Sequence, residues 1–288
     1  MTKPTRVLRE MLEAPGAVFA PGAYDALTAM LVERVGFPAV YMTGAGVSEA
    51  LGLPDYGLLS MGEITDVLRR MVKSVDVPVI ADADTGYGNE LNVVHAVREF
   101  EATGCAGLHI EDQMFPKKCG HLDDKQIAPL DDYIRKIRAA VYARKDPDFL
   151  LIARSDSRAK LGFEESIRRV NAALDAGADV GFVEAPETME EVREIPKLVN
   201  GRCMINIVRG GKTPLVSLQE LQELGYSIVI TPGMALMTVI TAYEAALAGL
   251  RDTGMIPVPL EELTIVEVIE RAKSKGWDAD RAAVSGSC

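Results

Sequence analysis

Short apolar runs alternate along this chain with longer segments whose apolar positions recur every three to four residues. The first pattern reads as a buried strand and the second as an amphipathic helix. The runs predict strands at Ala17–Ala20, Ala39–Thr43, Val77–Asp82, Gly107–Glu111, Phe149–Arg154, Val180–Glu184, Cys203–Val208 and Ser227–Thr231. Between them the helical spacing is plainest at Glu90–Thr103, Leu130–Lys145, Phe163–Ala176 and Ser217–Leu224. Gly36, Gly104, Gly177 and Gly225 follow such stretches, where glycine stops a helix by taking the left-handed conformation. Ala102-Thr-Gly-Cys-Ala-Gly107, Ala176-Gly-Ala-Asp179 and Leu224-Gly-Tyr226 repeat one device, a helix stop feeding the next strand.

Eight such units predict a closed parallel (β/α)8 barrel, a TIM barrel. The alternative is an open doubly wound sheet. That fold favours a glycine-rich dinucleotide turn after its first strand, and Phe19-Ala-Pro-Gly-Ala-Tyr24 is not one. After the Pro-rich turn Ile256-Pro-Val-Pro259, a further helix is expected over Leu260–Lys275. Its apolar positions Leu263, Ile265, Val266, Val268 and Ile269 would cap their own barrel or pack on another subunit. The expected division is residues 1–255 as the barrel and 256–288 as a helical extension and tail.

Composition narrows the picture. The chain has 288 residues, enough for one barrel of roughly 250 residues. A net charge of −11 with no long basic run makes nucleic acid and anionic membrane surfaces poor partners. An anionic substrate would need local cations or a metal. The first ten residues lack the apolar core of a signal peptide, and no apolar run is read as approaching the roughly 18 residues of a membrane span. Cys105, Cys119, Cys203 and Cys288 are widely spaced and form no zinc pattern. Cytoplasm is the expected compartment, with Cys105 and Cys203 buried in the core and Ser-Gly-Ser-Cys288 a loose tail.

Catalytic side chains of such a barrel sit at the C-terminal ends of its strands. Strand three ends in Asp82-Ala-Asp84, strand four in His109-Ile-Glu111, strand five in Arg154-Ser-Asp156, strand six in Glu184, and strand seven carries Asn206. Residues two apart on a strand share a face, so Asp82 with Asp84, and His109 with Glu111, should point into one mouth. Carboxylates converging from different strands repel unless a cation lies between them. An all-oxygen set favours Mg²⁺. His109 reads either as a catalytic group or as a strand histidine satisfied by a carboxylate. The turn Thr43-Gly44-Ala45-Gly46 offers backbone N–H groups that can hold a carboxylate or phosphate. In Lys117-Lys118-Cys119-Gly120-His121 a thiol is flanked by three cationizable side chains, an arrangement expected to lower its pKa.

Asp82-Ala-Asp-Thr-Gly-Tyr-Gly-Asn89, Glu111-Asp-Gln113, Lys117-Lys-Cys-Gly-His121, Ala153-Arg-Ser-Asp156 and Gly211-Lys-Thr-Pro214 together resemble the isocitrate lyase/phosphoenolpyruvate mutase superfamily. The resemblance runs from about Pro21 to Leu250. Its Lys-Lys-Cys-Gly-His element is similar to that of the carbon–carbon lyase branch, the methylisocitrate and 2-alkylmalate lyases. It implies a (β/α)8 barrel, Mg²⁺ (with Mn²⁺ able to substitute), a mobile loop carrying the cysteine, and homotetramers in which the last barrel helix is exchanged between subunits. It also implies roles. Asp82 would bind the metal, with Asp84 and Glu111 in its water shell. Cys119 would be the general acid/base and Arg154 the substrate clamp, with Asp55 and His121 completing the catalytic set. Thr43, Gly44, Ala45, Gly120, Glu184, Asn206 and Arg209 would line the substrate.

Two positions depart from the pattern. Arg209 stands where relatives commonly carry Glu, and Thr231-Pro-Gly-Met234 lacks a Leu-Ser found in many of them. The implied reaction is cleavage of a 2-hydroxy di- or tricarboxylate into a 2-oxo acid and a carboxylic acid. The alternatives are a phosphonate-pathway phosphomutase, an oxaloacetate hydrolase or decarboxylase, and a barrel that binds without catalysis.

Overall fold

Eight strands of the computed structural model, which describes residues 2–259 and 261–286, close into a barrel in sequence order. They are β1 (Val18–Ala23), β2 (Val40–Met42), β3 (Val79–Asp82), β4 (Gly107–Glu111), β5 (Leu150–Ser155), β6 (Val180–Val183), β7 (Arg202–Asn206) and β8 (Ile228–Thr231). Every neighbouring pair is parallel, and β8 closes on β1 with Val18 opposite Ile228 and Pro21 opposite Thr231. The predicted barrel and all eight strands are present, Gly107–Glu111 with both ends as expected and the others with ends shifted by at most three residues. The largest shift is in β1, which continues through Pro21-Gly22 to Ala23, past its expected end at Ala20. Here glycine marks a close approach: a Cβ on Gly22 would lie 2.5 Å from the Pro232 backbone.

The helices of the barrel unit are α1 (Pro4–Glu13), α2 (Ala26–Val35), α3 (Gly44–Ala50), α4 (Met61–Ser74), α5 (Glu90–Thr103), α6 (Leu130–Ala143), α7 (Arg158–Leu161), α8 (Phe163–Asp175), α9 (Met189–Leu198) and α10 (Leu218–Glu223). Their inner faces pack on the outward side chains of the strands, as with Ile64, Leu68 and Met71 of α4 and Val93, Val97 and Phe100 of α5. Inside the barrel lies a separate core of Val18, Ala20, Tyr41, Ile80, Leu150, Ile152, Phe182, Met204, Ile228 and Ile230. Leu8 and Leu12 of α1 join it, so this first helix closes the end of the barrel where the strands begin. The sequence reading gives no helix there, although Pro4 at its first turn and the Leu8–Leu12 spacing are both helix signals.

The chain divides into two compact units, Met1–Met234 and Ala235–Cys288. The second holds α11 (Met234–Thr253, which begins at the boundary), α12 (Ile265–Arg271) and α13 (Ser274–Ser285). The single helix expected over Leu260–Lys275 is thus two. Thr264 and Glu267 form a capping box that starts α12, and Lys273, at φ 57°, breaks the chain before α13. Leu260 lies outside the described residues, as does Cys288 of the expected tail, whose Ser285 ends α13. One expectation on apolar length also needs correcting. The 20 residues of α11 reach a mean hydropathy of 1.2, long and apolar enough to cross a membrane. Glu244 lies within the helix, and length and composition alone do not establish a span.

Candidate active site

The alternation that builds the barrel interior also builds the site. Ile80, Ile152, Phe182 and Met204 face inward. Two residues further along the same strands come Asp82, Arg154, Glu184 and Asn206, and on β4 Glu111 follows His109. All are buried. One inward-facing row therefore changes from apolar to charged at the C-terminal end of the strands. Asp84 reaches the mouth differently. β3 ends at Asp82, and Asp84 takes a left-handed backbone conformation at φ 46°, a strained state for a residue other than glycine.

Asp82 accepts hydrogen bonds from the Asp84 amide (3.0 Å), the Gly44 amide (3.3 Å) and the Tyr41 hydroxyl (3.4 Å). Tyr41 and His109 Nε2 share a further bond of 2.7 Å. Burial works against a charge on Asp82, yet His109, Lys117, Arg154 and the Asp84 amide together hold it well below the usual carboxylate range. Burial also pushes His109 down to about 4. It is therefore neutral near pH 7, and the two lasting cations carry the effect on Asp82. Asp84 goes the other way: burial, with repulsion from Asp82 and Asp55, outweighs Lys117 and raises it to about 6. Glu111 is raised well above its ordinary value by burial and by Asp156 and Asp84, against Arg154. His109 is thus a strand histidine held by Tyr41 with a carboxylate at 3.5 Å.

The loop carrying Cys119 is folded over this mouth. Its base is pinned by the Gln113–Ile127 bridge and by the Gln113 side chain, which bonds both main-chain groups of Lys118. Lys117 turns inward, is 3% exposed, and pairs with Asp55 and, at 2.8 Å, with Asp84. His121 lies 3.2 Å from Glu184 and 3.3 Å from Asn206, and accepts from the Lys212 amide at Nδ1. At the tip, a Cβ on Gly120 would come within 2.5 Å of Arg154 Nη2 and 2.6 Å of Glu184 Cγ, so only glycine lets the loop come this close. The expected lowering of the Cys119 pKa is not found. Burial and then Asp55 push the thiol up to about 11, against the His121 amide, Lys117 and Arg154. Lys117 spends its charge on Asp55 and Asp84, so little is left to favour a thiolate.

Arg154 is gripped from behind. Asp156 accepts from its Nε at 2.8 Å and Nη2 at 3.0 Å, which leaves Nη1 to face Glu111 at 3.3 Å. The guanidinium also lies over the Phe182 ring, 5.5 Å from its centroid. Asp112, one residue beyond the β4 strand, fixes this support by accepting from the Asp156 amide and the Ser155 hydroxyl, both at 2.7 Å.

Of the residues expected at the site, Asp55, Asp82, Asp84, Glu111, Gly120, His121, Arg154, Glu184 and Asn206 converge with Cys119. Thr43, Gly44 and Ala45 prove to be a helix start instead of an open turn: Thr43 caps α3 through the Gly46 amide, and the Gly44 amide is taken by Asp82. Arg209 is exposed and, among the described residues, makes no hydrogen bond or ion pair. The inward Lys117, Lys125, Tyr41 and Asp156 carry parts of the site that the sequence reading does not assign. Nothing in the sequence separates inward Lys117 from its neighbour Lys118.

The site is thus an eight-stranded barrel mouth with buried acids, the buried cations Lys117, Lys125 and Arg154, and a loop thiol. The sequence pattern of the phosphoenolpyruvate phosphomutase family matches residues 8–251, and the chain belongs to the phosphoenolpyruvate mutase/isocitrate lyase superfamily. It is 47% identical over 226 residues, 78% of each chain, to 2,3-dimethylmalate lyase of Eubacterium barkeri. It is 41% identical to 2-methylisocitrate lyase of Aeropyrum pernix, over 88% of this chain and 82% of that one. It is also 41% identical to the chloroplastic carboxyvinyl-carboxyphosphonate phosphorylmutase of Arabidopsis thaliana, over 89% and 77%. Among solved structures, oxaloacetate acetylhydrolase with bound 3,3-difluorooxalacetate superposes with a TM-score of 0.93 at 34% identity, over 98% and 97% of the chains. A 2,3-dimethylmalate lyase gives 0.92 at 37%, over 98% and 96%. Phosphonopyruvate hydrolase with oxalate and Mg²⁺ gives 0.88 at 30%, over 98% and 99%.

The mouth suits such an ion. Neither oxygen of Glu111 has a hydrogen-bond donor, and the acids offer only oxygen, the donor that Mg²⁺ prefers. Among the described residues no three His, Cys, Asp or Glu side chains converge as direct ligands. Mg²⁺ in general takes only one or two carboxylates and keeps several waters.

Proposed function

We propose that the protein is a Mg²⁺-dependent carbon–carbon lyase that cleaves a 2-alkylmalate or 2-methylisocitrate type of 2-hydroxy acid into a 2-oxo acid and a carboxylic acid. The observation that carries this reading is the Cys119 thiol, which keeps its proton at neutral pH beside Arg154 and Lys117 under a closed loop. Held by Asp82, with Asp84 and Glu111 around it, Mg²⁺ would polarise the C2 oxygen of the substrate. The C2 hydroxyl loses its proton, the C2–C3 bond breaks, and its electron pair stays on C3. That fragment, conjugated to its own carboxylate, gathers charge that the Nη1 edge of Arg154 offsets. The hydroxyl proton goes to solvent as the substrate binds, Cys119 gives C3 its proton, and the thiolate left behind takes one back from solvent when the loop opens, so the protons balance. The loop keeps water from the carbanion. Moving phosphorus between oxygen and carbon requires no proton at carbon, and there the thiol would have no such task.

The test is a panel of 2-alkylmalates, 2-methylisocitrate, oxaloacetate and phosphonopyruvate, each with Mg²⁺ and with a chelator. Metal-dependent release of a 2-oxo acid from a hydroxy acid, as the fastest reaction, is the expected result. Turnover of phosphonopyruvate or oxaloacetate alone would sink the proposal. A homotetramer formed through exchange of α11 is part of the same proposal. In its support, no residue of α11 is buried although the helix carries Met237, Val239, Ile240 and Leu247.

A further inference from the structure

Lys125 stands at the base of the Cys119 loop, next to Gln126, whose carbonyl accepts from the Met114 amide at 2.7 Å. It is 3% exposed. Its ammonium reaches back across the loop to donate to the carbonyl of Gly120, at the tip. It also lies 3.3 Å from Oδ1 of Asp156. The same oxygen takes Nη2 of Arg154, and the other takes Nε. Asp156 is fully buried. One carboxylate therefore holds the substrate-facing arginine and, through Lys125, the tip of the loop that carries the thiol.

The geometry makes the two holds interdependent. The Gly120 backbone already touches Arg154 and Glu184 so closely that a Cβ would overlap both. The tip can seat only where Asp156 has drawn the guanidinium back. With the tip lifted, the Gly120 carbonyl and Lys125 part, and a buried ammonium is left to Asp156 alone. Buried charges are held in place by complete pairing.

We propose that Lys125 and Asp156 are positioning residues that lock the tip of the loop, residues 115–125, against Arg154, so that Cys119 is presented only when Arg154 is held in place. This rests on the role given above to Cys119 and Arg154, but its test needs no substrate. The full chain, without ligand, is treated with iodoacetamide at mildly alkaline pH, and alkylation of Cys119 is followed by peptide-resolved mass spectrometry. Lys125→Met should raise the alkylation rate by about tenfold or more, the effect of losing a hydrogen bond to a charged group. Lys125→Arg should restore the slow rate, which loss of general stability would not explain if both variants melt alike. Should Lys125→Met not fold, Lys125→Gln, which keeps a donor but no charge, replaces it with a smaller increase expected. Gly120→Ala serves as a control that lifts the tip by overlap with Arg154 and Glu184. If Gly120→Ala speeds alkylation and Lys125→Met does not, the lock is refuted. If neither does, the loop is already open in solution and the proposal fails as well. A different substrate class would leave all of these rates unchanged, so a failure of the functional reading and a failure of the lock are seen separately.

Discussion

The two ends of the barrel are both rich in charge, and they treat it differently. At the end where the strands begin, charges are matched. Asp179 forms an ion pair with Arg9 at 2.8 Å and accepts hydrogen bonds from Arg144 at 2.6 Å and from the Leu151 amide at 2.9 Å. Arg9 and Arg144 also cap the carbonyl of Phe149, and Leu8 fills the space beneath. At the other end, acids are buried without enough partners. Among the described residues, the buried side-chain atoms lacking a hydrogen bond belong to Asp84, Thr85, Tyr87, His109, Glu111, Glu184, Asn206 and Thr213. All lie from the middle of the strands toward their C-terminal side. Cations stand near Asp84 Oδ1 and Glu111 Oε2, at 2.8 and 3.3 Å, without hydrogen-bond geometry. Asp84, Tyr87 and Ala185, in the loops of this end, also have positive φ. Incomplete pairing and backbone strain collect where a ligand is to complete the site. The opposite end holds the fold together.

The contrast is broken most severely at the thiol. Cys119→Ser keeps the shape of the loop but replaces a thiol near 11 with a still weaker acid. Turnover of the best substrate should fall by roughly 10²–10⁴, with the melting temperature unchanged. A rate within a few-fold of wild type would show that Cys119 is not the proton donor. At the other end Leu8→Ala should do the reverse. Emptying that fully buried site should cost about 2–5 kcal/mol in urea unfolding, while folded protein turns over at the normal rate. Loss of turnover in folded Leu8→Ala would erase the division between the two ends.

The sequence carried the barrel because its signal is repeated: eight apolar runs, each set off by helix stops such as Gly104 and Gly177. It carried most of the mouth because strand parity places Asp82, Glu111 and Arg154 on the inward row. It was poorer wherever position depends on a loop's path. Lys117 and Lys118 are adjacent and alike in type, yet one is buried between two acids. The thiol pKa followed the same fault, since charges nearby in sequence are committed elsewhere in space. Thr43-Gly44-Ala45 looked like an open anion cradle, and its Gly44 amide is already spent on Asp82. The first helix was missed because its polar residues dominate a short segment, while Leu8 and Leu12 reveal their purpose only against the barrel interior.

The subtlest difference between the ends is in their response to pH. Asp84 is raised to about 6 in the folded protein, from an unfolded value near 3.9. The folded state therefore binds the proton more tightly, and the stability it gains is fully present below pH 4. It is lost as pH rises through about 6, where Asp84 must ionise in a buried site between Asp82 and Asp55. Asp112, also raised to about 6 by burial and Asp156, adds the same slope and is common to both proteins compared. Asp84→Asn removes the first contribution and leaves Lys117 paired with Asp55. In a chelator, the variant should gain about 1–3 kcal/mol on wild type between pH 4 and pH 7, read from urea unfolding at each pH. Added Mg²⁺ should then stabilise wild type more than the variant, because a ligand raises stability only as far as the folded site holds it. If the difference between the two proteins is flat with pH, or if Asp84→Asn is the weaker at pH 7, the Lys117 pair outweighs the burial of Asp84. The mouth would then be as well matched in charge as the end sealed by Leu8.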